Sequence, residues 1–334
     1  MRSTCSLYID AGYLLAAAAT RVTGTSLRSG IHVDYAALVG SLVEAAEARS
    51  GVPVLRVHWY DSARNGVPDP QQERIGELSK VKLRLGRFGV DGQQKGVDLR
   101  IGLDLVAHAR NGASDVFLLV SGDDDLTEAV EEAQVHGVQV VLLAVPTTAG
   151  KPHGVSRHLI RAADELDTID GAAIDAAVMK VEVPRGPASA PSAPAASVPT
   201  PVPSPAALAS RAAGRSPRDV AALVHGPTPP ARPASVLAYS GSTGSPSRVL
   251  PGYEEGSDDH DELIDEVVVR VLASFRKSAS PDDEAELTRA RPSIPREIDR
   301  ALLLDASDAL QLYDLNERIR SRLRARFWEK YDEC

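Results

Sequence analysis

Short apolar segments rich in β-branched and aromatic residues alternate with helical patterns over residues 1–171. Such alternation is typical of a mostly parallel sheet with helices on both faces. The strands are predicted at Ser6–Asp10, Val54–Tyr60, Lys82–Leu85, Val116–Val120, Val138–Val145 and Glu165–Ile169. The helices between them are predicted at Tyr35–Ala48, Gln71–Ser79, Val97–Ala109, Leu126–His136 and Ser156–Ala163. The predicted fold class is therefore α/β.

Carboxylates directly follow two of these strands. Asp10 ends the first strand, Asp123–Asp125 come just after the fourth, and Asp98 opens a predicted helix. Because open α/β sheets place ligands at the carboxyl ends of parallel strands, we expect these acids to gather at one edge of the sheet. Converging carboxylates repel one another unless a positive charge lies between them. A hard divalent cation such as Mg²⁺ or Mn²⁺ prefers such oxygen ligands, so the pattern favours phosphate chemistry.

Each of these acids also has a purely structural interpretation. Asp10 would bond backbone amides of the turn that follows it. Asp125 would cap a helix, with Glu128 completing a capping box three residues later. That pattern leaves Asp123 unexplained, which favours Asp123 as a ligand. Asp124 would point away from its neighbours in an extended backbone, so we expect it to face solvent.

Asp98 would also complement the dipole of its helix, and Lys95 just ahead of it would pair with Asp98 or hold a phosphate. Asp104 follows six residues later, which places it about 240° around the helix. Asp104 is therefore a secondary candidate, as is Asp124. Lys95 and Ser121 are the candidate substrate-binding residues.

Composition restricts the partners and the compartment. The net charge of −9 means that the whole chain does not attract nucleic acid, so a local basic surface or a metal must meet any polyanion. Cys5 and Cys334 provide neither a disulfide framework nor zinc-ligand spacing, which fits a reducing compartment. The chain shows no signal peptide, no apolar run near the roughly 20 residues of a transmembrane helix and no glycine-rich phosphate loop. We expect a soluble cytoplasmic protein with no membrane partner.

Proline marks a long segment between two folded parts. Residues 184–257 contain 15 of the 23 prolines, and alanine, serine and glycine fill most of the rest. Such a segment cannot bury enough apolar surface to offset the entropy of ordering, so we predict a disordered linker there.

A small helical module is predicted over residues 259–331. Apolar residues recur at helical spacing from Leu263 to Phe275, a second helix is predicted to start at Pro295, and a third to run from Leu312 to Tyr331. The third helix is basic, with Arg318, Arg320, Arg322, Arg324, Arg326 and Lys330. These side chains would contact phosphates or form a solvated face with the acids between them.

Three segments, in this order, carry a family resemblance: LYIDAGYLL, QKGVDLRIGLDL and LLVSGDDDL, the last followed by a helix and HGVQVVLL. Together they resemble the NYN domain family, relatives of the PIN-domain nucleases, over about residues 4–170. The resemblance implies a Rossmann-like (PIN-like) α/β/α sandwich and an acidic cluster that binds Mg²⁺ or Mn²⁺ for RNA hydrolysis. Transferred by motif, that cluster is Asp10, Asp98, Asp123 and Asp125. The carboxyl-terminal module looks like the helical extension of some actinobacterial NYN proteins.

One departure from the family pattern concerns the first motif. Many relatives have Asn three residues after the first Asp, whereas this chain has Tyr13. The leading hypothesis is a Mg²⁺- or Mn²⁺-dependent RNA endonuclease whose four cluster acids are both metal ligands and catalytic residues. The alternative is a non-catalytic RNA-binding or scaffold protein, which Tyr13 and the acidic net charge favour. A phosphatase ranks third, because Gly12 replaces the second acid of a DxD motif after Asp10. The expected partners are RNA, a protein bound through the carboxyl-terminal helices, and a second copy of the chain.

Overall fold

A central sheet organises the first half of the computed structural model, which describes residues 3–63, 66–88, 94–181, 257–312 and 315–333. The strands are β1 (Cys5–Asp10), β2 (Ile31–Val33), β3 (Val54–Ala63), β4 (Val81–Phe88), β5 (Gln94–Lys95), β6 (Val116–Val120), β7 (Gln139–Ala144), β8 (Glu165–Thr168) and β9 (Val178–Lys180). Seven of them form one sheet in the order β5-β4-β3-β1-β6-β7-β8, with only β5 antiparallel to its neighbour. The prediction of a mostly parallel α/β sheet is confirmed.

Helices cover both faces of this sheet. They are α1 (Ala11–Thr23), α2 (Tyr35–Ser50), α3 (Pro70–Gly76), α4 (Val97–Arg110), α5 (Thr127–Val135), α6 (Arg157–Ala162) and α7 (Gly171–Ala177). Alternate residues of a strand point to opposite faces, so Leu7 and Ile9 of β1 pack with α1, α2 and α7. Tyr8 between them packs with α4 and α5 on the other face. The expected α/β/α sandwich is confirmed.

Several elements of the structure were not predicted from the sequence. Helix α1 follows β1 without a break, because Asp10 is both the last strand residue and the cap of the helix. Strands β2 and β9 have three residues each, too few to show alternation, and they pair antiparallel as a separate two-stranded sheet. Helix α7 and the two-residue β5 were also not predicted.

Four helices form the carboxyl-terminal part: α8 (Ser257–Ser278), α9 (Pro281–Ala290), α10 (Arg296–Leu310) and α11 (Glu317–Glu333). Their core includes the fully buried Val268, Leu302 and Phe327. Leu27, from the segment after α1, is buried in the same core, so the helices and the α/β domain form one compact unit. The predicted linker at 184–257 lies outside the described residues except for its last position. Of the described helices, none is long and apolar enough to cross a membrane.

The basic helix α11 makes its ion pairs within the helical module. Three of its arginines pair with acids of α8 and α10: Arg322 with Asp261, Arg324 with Asp299, and Arg326 with Asp265. Lys330 pairs with Glu333 of its own helix. Exposed pairs of this kind contribute little to stability. The pairing favours the interpretation of α11 as a solvated face neutralised by acids of the same module, rather than as a phosphate-binding surface.

Candidate active site

The carboxyl ends of β1 and β6 meet because the two strands are parallel neighbours. Ser121, directly after β6, donates a hydrogen bond from Oγ to Asp10 Oδ2 at 3.3 Å. The backbone N–H of Tyr13 donates to Asp10 Oδ1 at 3.2 Å, so Asp10 also caps α1. Asp10 is 8% exposed and Ser121 is fully buried. Two hydrogen bonds and close packing therefore fix the orientation of the Asp10 carboxylate.

The loop after β6 brings the backbone of a second acid, Asp123, to the same serine. The backbone N–H of Asp123 donates to Ser121 Oγ at 3.3 Å. Asp123 Oδ1 accepts from the backbone N–H of Asp125 at 3.1 Å and so caps a turn of 3₁₀-helix, Asp124–Leu126. Ser121 thus connects the Asp10 carboxylate with the backbone that carries Asp123.

Two structural expectations for this loop are wrong. Asp125 and Glu128 do not form a capping box, because the intervening 3₁₀ turn moves the start of α5 to Thr127. Asp124 does not face open solvent: it accepts a hydrogen bond from Ser156 Oγ, and its Oδ2 lies 3.2 Å from His158 Nδ1. Asp125 is the exposed member of the triplet.

Helix α4 brings the third motif to the same edge. It starts at Val97, after Gly96 in the left-handed conformation (φ 90°). Asp98 lies half-buried in its first turn. The charges of Asp10 and Asp125 both act on Asp98, and the charges of Asp98 and Asp125 act on Asp123. Asp10 and Asp125 thus lie near Asp98, and Asp98 and Asp125 near Asp123, so acids of the three motifs gather at this edge of the sheet.

Burial disfavours the charged forms of three of these acids. Burial raises the pKa of Asp10 above its ordinary value, although the Tyr13 amide, Arg300 and Arg28 oppose this. Burial, then the charge of Asp10, raises the pKa of Asp98. Burial also raises the pKa of Asp123, and neighbouring acids add to the rise.

Carboxylate oxygens are the ligand type that Mg²⁺ and Mn²⁺ prefer, so the donor set of this cluster fits such a cation in kind. A cation among these acids would favour their charged forms, against the burial that raises the pKa of Asp10, Asp98 and Asp123. Among the residues that the structure describes, no three His, Cys, Asp or Glu side chains are close enough together to enclose a metal ion.

The remaining candidates lie in different places. Asp104 accepts a hydrogen bond from the Tyr60 hydroxyl at 2.9 Å and lies 3.2 Å from Arg84 Nε, among groups outside the acidic cluster. Lys95 belongs to β5, and its side chain lies outside the described part of the structure. The hydrogen bonds of the Ser121 hydroxyl go to the acid-bearing segments. Substrate contacts by Lys95 and Ser121 stay predictions.

Tyr13, where the family resemblance implies Asn, has a structural role in this chain. Its hydroxyl donates to the backbone oxygen of His153 at 2.7 Å and accepts from the backbone N–H of Val145 at 3.2 Å. A Cβ at Gly122 would lie 3.0 Å from the Tyr13 ring, so the ring packs directly against the loop after β6. Tyr13 therefore connects the end of β7 with the segment at His153 and with the loop after β6.

Two arginines beside Asp10 were missed by the sequence analysis. A Cβ at Gly12 would lie 2.8 Å from Asp10 Oδ1, 3.0 Å from Arg300 Nη2 and 3.4 Å from Arg28 Nη2. Arg28 follows α1 in a 3₁₀ turn, and Arg300 comes from α10 near the far end of the chain. No spacing in the sequence connects Arg300 with the acidic motifs, so only the packing of the helices reveals it.

Comparisons with known proteins match the α/β domain. The family model described as the NYN domain matches residues 5–170. An uncharacterized protein, y4oD, from Sinorhizobium fredii is 38% identical over 98 residues, which are 29% of this chain and 46% of that protein. The chain thus spans less than half of that relative's length. No solved structure matches.

Proposed function

We propose a function from one premise: residues 5–170 of the chain belong to the NYN domain family, whose fold is that of the PIN-like nucleases. The proposed reaction is the hydrolysis of RNA phosphodiester bonds, dependent on Mg²⁺ or Mn²⁺. The observation that supports the proposal is that acids from three separate motifs lie near one another: the charges of Asp10 and Asp125 act on Asp98, and those of Asp98 and Asp125 act on Asp123. A structural role alone does not require four like charges to be gathered there.

In the proposed site Asp10 and Asp123 would hold the cation, and Asp98 and Asp125 would complete the cluster. A divalent cation supplies charge stabilisation to the phosphoryl group under in-line attack and acidifies the water in its coordination shell. Ser121 holds Asp10 Oδ2 and the Asp123 backbone, so the two carboxylates are oriented before substrate binds. Asp125 is exposed and would orient the attacking water and accept its proton at a carboxylate oxygen.

Cleavage of a labelled single-stranded RNA tests this proposal. The full chain is incubated with EDTA, Mg²⁺ or Mn²⁺, beside Asp10→Asn and Asp123→Asn. Glu131→Gln is a matched control, because it also removes one negative charge and lies exposed on α5. We expect metal-dependent cleavage that falls by more than about a hundredfold in both site variants. Substituting only the residues that hydrogen-bond to metal ligands already lowers metal affinity or activity about 10- to 100-fold. Cleavage by Asp10→Asn at the wild-type rate with saturating Mn²⁺ would refute the assignment.

A second candidate is a non-catalytic RNA-binding or scaffold protein. The observation in its favour is Tyr13, whose hydroxyl is engaged by backbone groups in place of the amide that many relatives carry at this position. This candidate predicts RNA binding that EDTA does not change, together with no cleavage of any substrate by the folded protein. Metal-dependent cleavage in the assay above would exclude it.

A further inference from the structure

Helix α10 is attached to the α/β domain directly beside the acidic cluster. The backbone N–H of Ser26 donates to Asp305 Oδ1 at 3.0 Å, and that of Ser29 donates to Glu297 Oε1 at 2.7 Å. Leu27, between them, is fully buried in the core of the helical module. These contacts fix one face of α10 against the segment that follows α1.

This attachment places Arg300 at the edge of the proposed active site. Its Nη2 atom and Asp10 Oδ1 both lie within 3.0 Å of the point that a Cβ of Gly12 would occupy. Arg28 reaches the same region and donates from Nη2 to the backbone oxygen of Gly12 at 2.8 Å. Two guanidinium groups therefore lie beside the first acid of the cluster, one from each part of the chain.

The two guanidinium groups also line a cavity of about 300 Å³. Its wall includes Arg296 from the first turn of α10 and Ser62 near the end of β3. The carboxylate in the wall, Glu297, accepts from the backbone N–H of Ser29. The cavity thus combines three cationic side chains and two serines with the apolar Ala16, Ala301 and Leu304, near the carboxyl end of β3, and α/β folds bind ligands at this end of their strands.

The electrostatics of Arg300 favour an anion in this place. Arg300 is half-buried, and the Nη2 atoms of Arg300 and Arg28 lie 3.0 and 3.4 Å from the same point, so this guanidinium is partly desolvated beside a like charge. A phosphate would offset both costs, because guanidinium groups bind phosphate oxygens with paired, charge-assisted hydrogen bonds.

We infer that the carboxyl-terminal helices complete the active site, with Arg300 and Arg28 binding a backbone phosphate of RNA next to the phosphate held at the acidic cluster. The inference rests on the proposed function for the identity of the ligand as RNA. It also accounts for how a chain of net charge −9 meets a polyanion, since the positive charge is concentrated where the substrate lies. If Arg300 instead competed with the cation for Asp10, Arg300→Ala would cleave RNA faster than the wild type.

The test uses the full chain and a fluorescein-labelled single-stranded RNA, with Arg300→Ala, Arg300→Lys and the control Arg289→Ala. Arg289 is exposed on α9, so this control removes the same charge from the same module. RNA affinity is measured in EDTA from about 50 to 200 mM salt, and cleavage is measured separately with Mn²⁺. Thermal denaturation of each variant identifies any loss of fold, and Arg300→Lys keeps the charge if Arg300→Ala is unstable.

We expect Arg300→Ala to bind RNA roughly ten- to a hundredfold more weakly and to lower the salt slope by about 0.7. Arg300→Lys should retain the slope but not the full affinity, because lysine lacks the planar fork. Affinity of Arg300→Ala equal to that of Arg289→Ala, faster cleavage by Arg300→Ala, or no RNA binding by the wild type would each overturn the inference. Weaker binding in Arg300→Ala when no variant cleaves RNA would support the inference and refute the proposed hydrolysis.

Discussion

Gly122 is the position where one added methyl group should disturb the site most. A Cβ there would lie 1.9 Å from the backbone oxygen of Gly154 and 2.9 Å from its carbonyl carbon. The Gly122 oxygen itself accepts from the backbone N–H of Ser156 at 3.0 Å, so the two loops are held together. Since the obstacle is backbone rather than the end of a flexible side chain, Gly122→Ala must separate the two loops.

Overpacking of this kind costs about 1–3 kcal/mol, and a backbone obstacle places Gly122→Ala at the upper end, about 3 kcal/mol. For a folded part of about 150–250 residues this lowers the Tm by about 6–12 °C, which thermal denaturation followed by circular dichroism measures. The control is Gly40→Ala in α2, because a Cβ added there meets nothing within 4 Å. The substitution also replaces a glycine in the interior of a helix. The control should gain up to about 1 kcal/mol. A Tm for Gly122→Ala equal to the wild type would refute the argument.

Two further predictions follow from contacts near the site and in the core. Gly12→Ala should lower the Tm less than Gly122→Ala yet lose RNA cleavage, because its Cβ would meet side-chain atoms of Asp10 and Arg300 rather than backbone; unchanged cleavage would contradict this. Burial, then the charge of His108, lowers the pKa of His58 from 6.5 to about 4. Between pH 6.5 and 4 the unfolded chain therefore binds more protons at His58 than the folded chain. Because of this, protonation of His58 should lower the free energy of unfolding by up to about 3 kcal/mol as the pH falls through that range. His58→Phe should remove this part of the acid sensitivity in urea denaturation, and an unchanged pH profile would show that other groups cause it.

The strands and the acids at their ends could be predicted from the sequence because they depend on local patterns. The apolar run Val116–Val120 is the observed β6 to the residue, and most predicted helices of the α/β domain end within a few residues of the observed ones. Asp10 is the last residue of β1 and Asp123 lies three residues after the end of β6. Because these two strands pair in parallel, the two acids come close together. Period and strand order, rather than any single residue, carry this information.

Features that depend on tertiary packing could not be read in the same way. The capping pattern of Asp125 and Glu128 was present in the sequence, but a 3₁₀ turn capped by Asp123 replaced it. The position of Arg300 depends on how α10 attaches to the segment around Leu27, which no local pattern specifies. Lone arginines on amphipathic helices are usually solvated, so the sequence offers no reason to choose this one.

Binding of Mn²⁺ to the metal-free chain, followed by electron paramagnetic resonance, tests the central claim most directly. The claim is that the acids at the ends of β1 and β6 and at the start of α4 hold a divalent cation. The account predicts saturable Mn²⁺ binding by the wild type and Glu131→Gln alike, and an affinity at least about tenfold lower for Asp10→Asn. Equal Mn²⁺ affinity in Asp10→Asn and the wild type, or no saturable binding by the folded wild type, would contradict it.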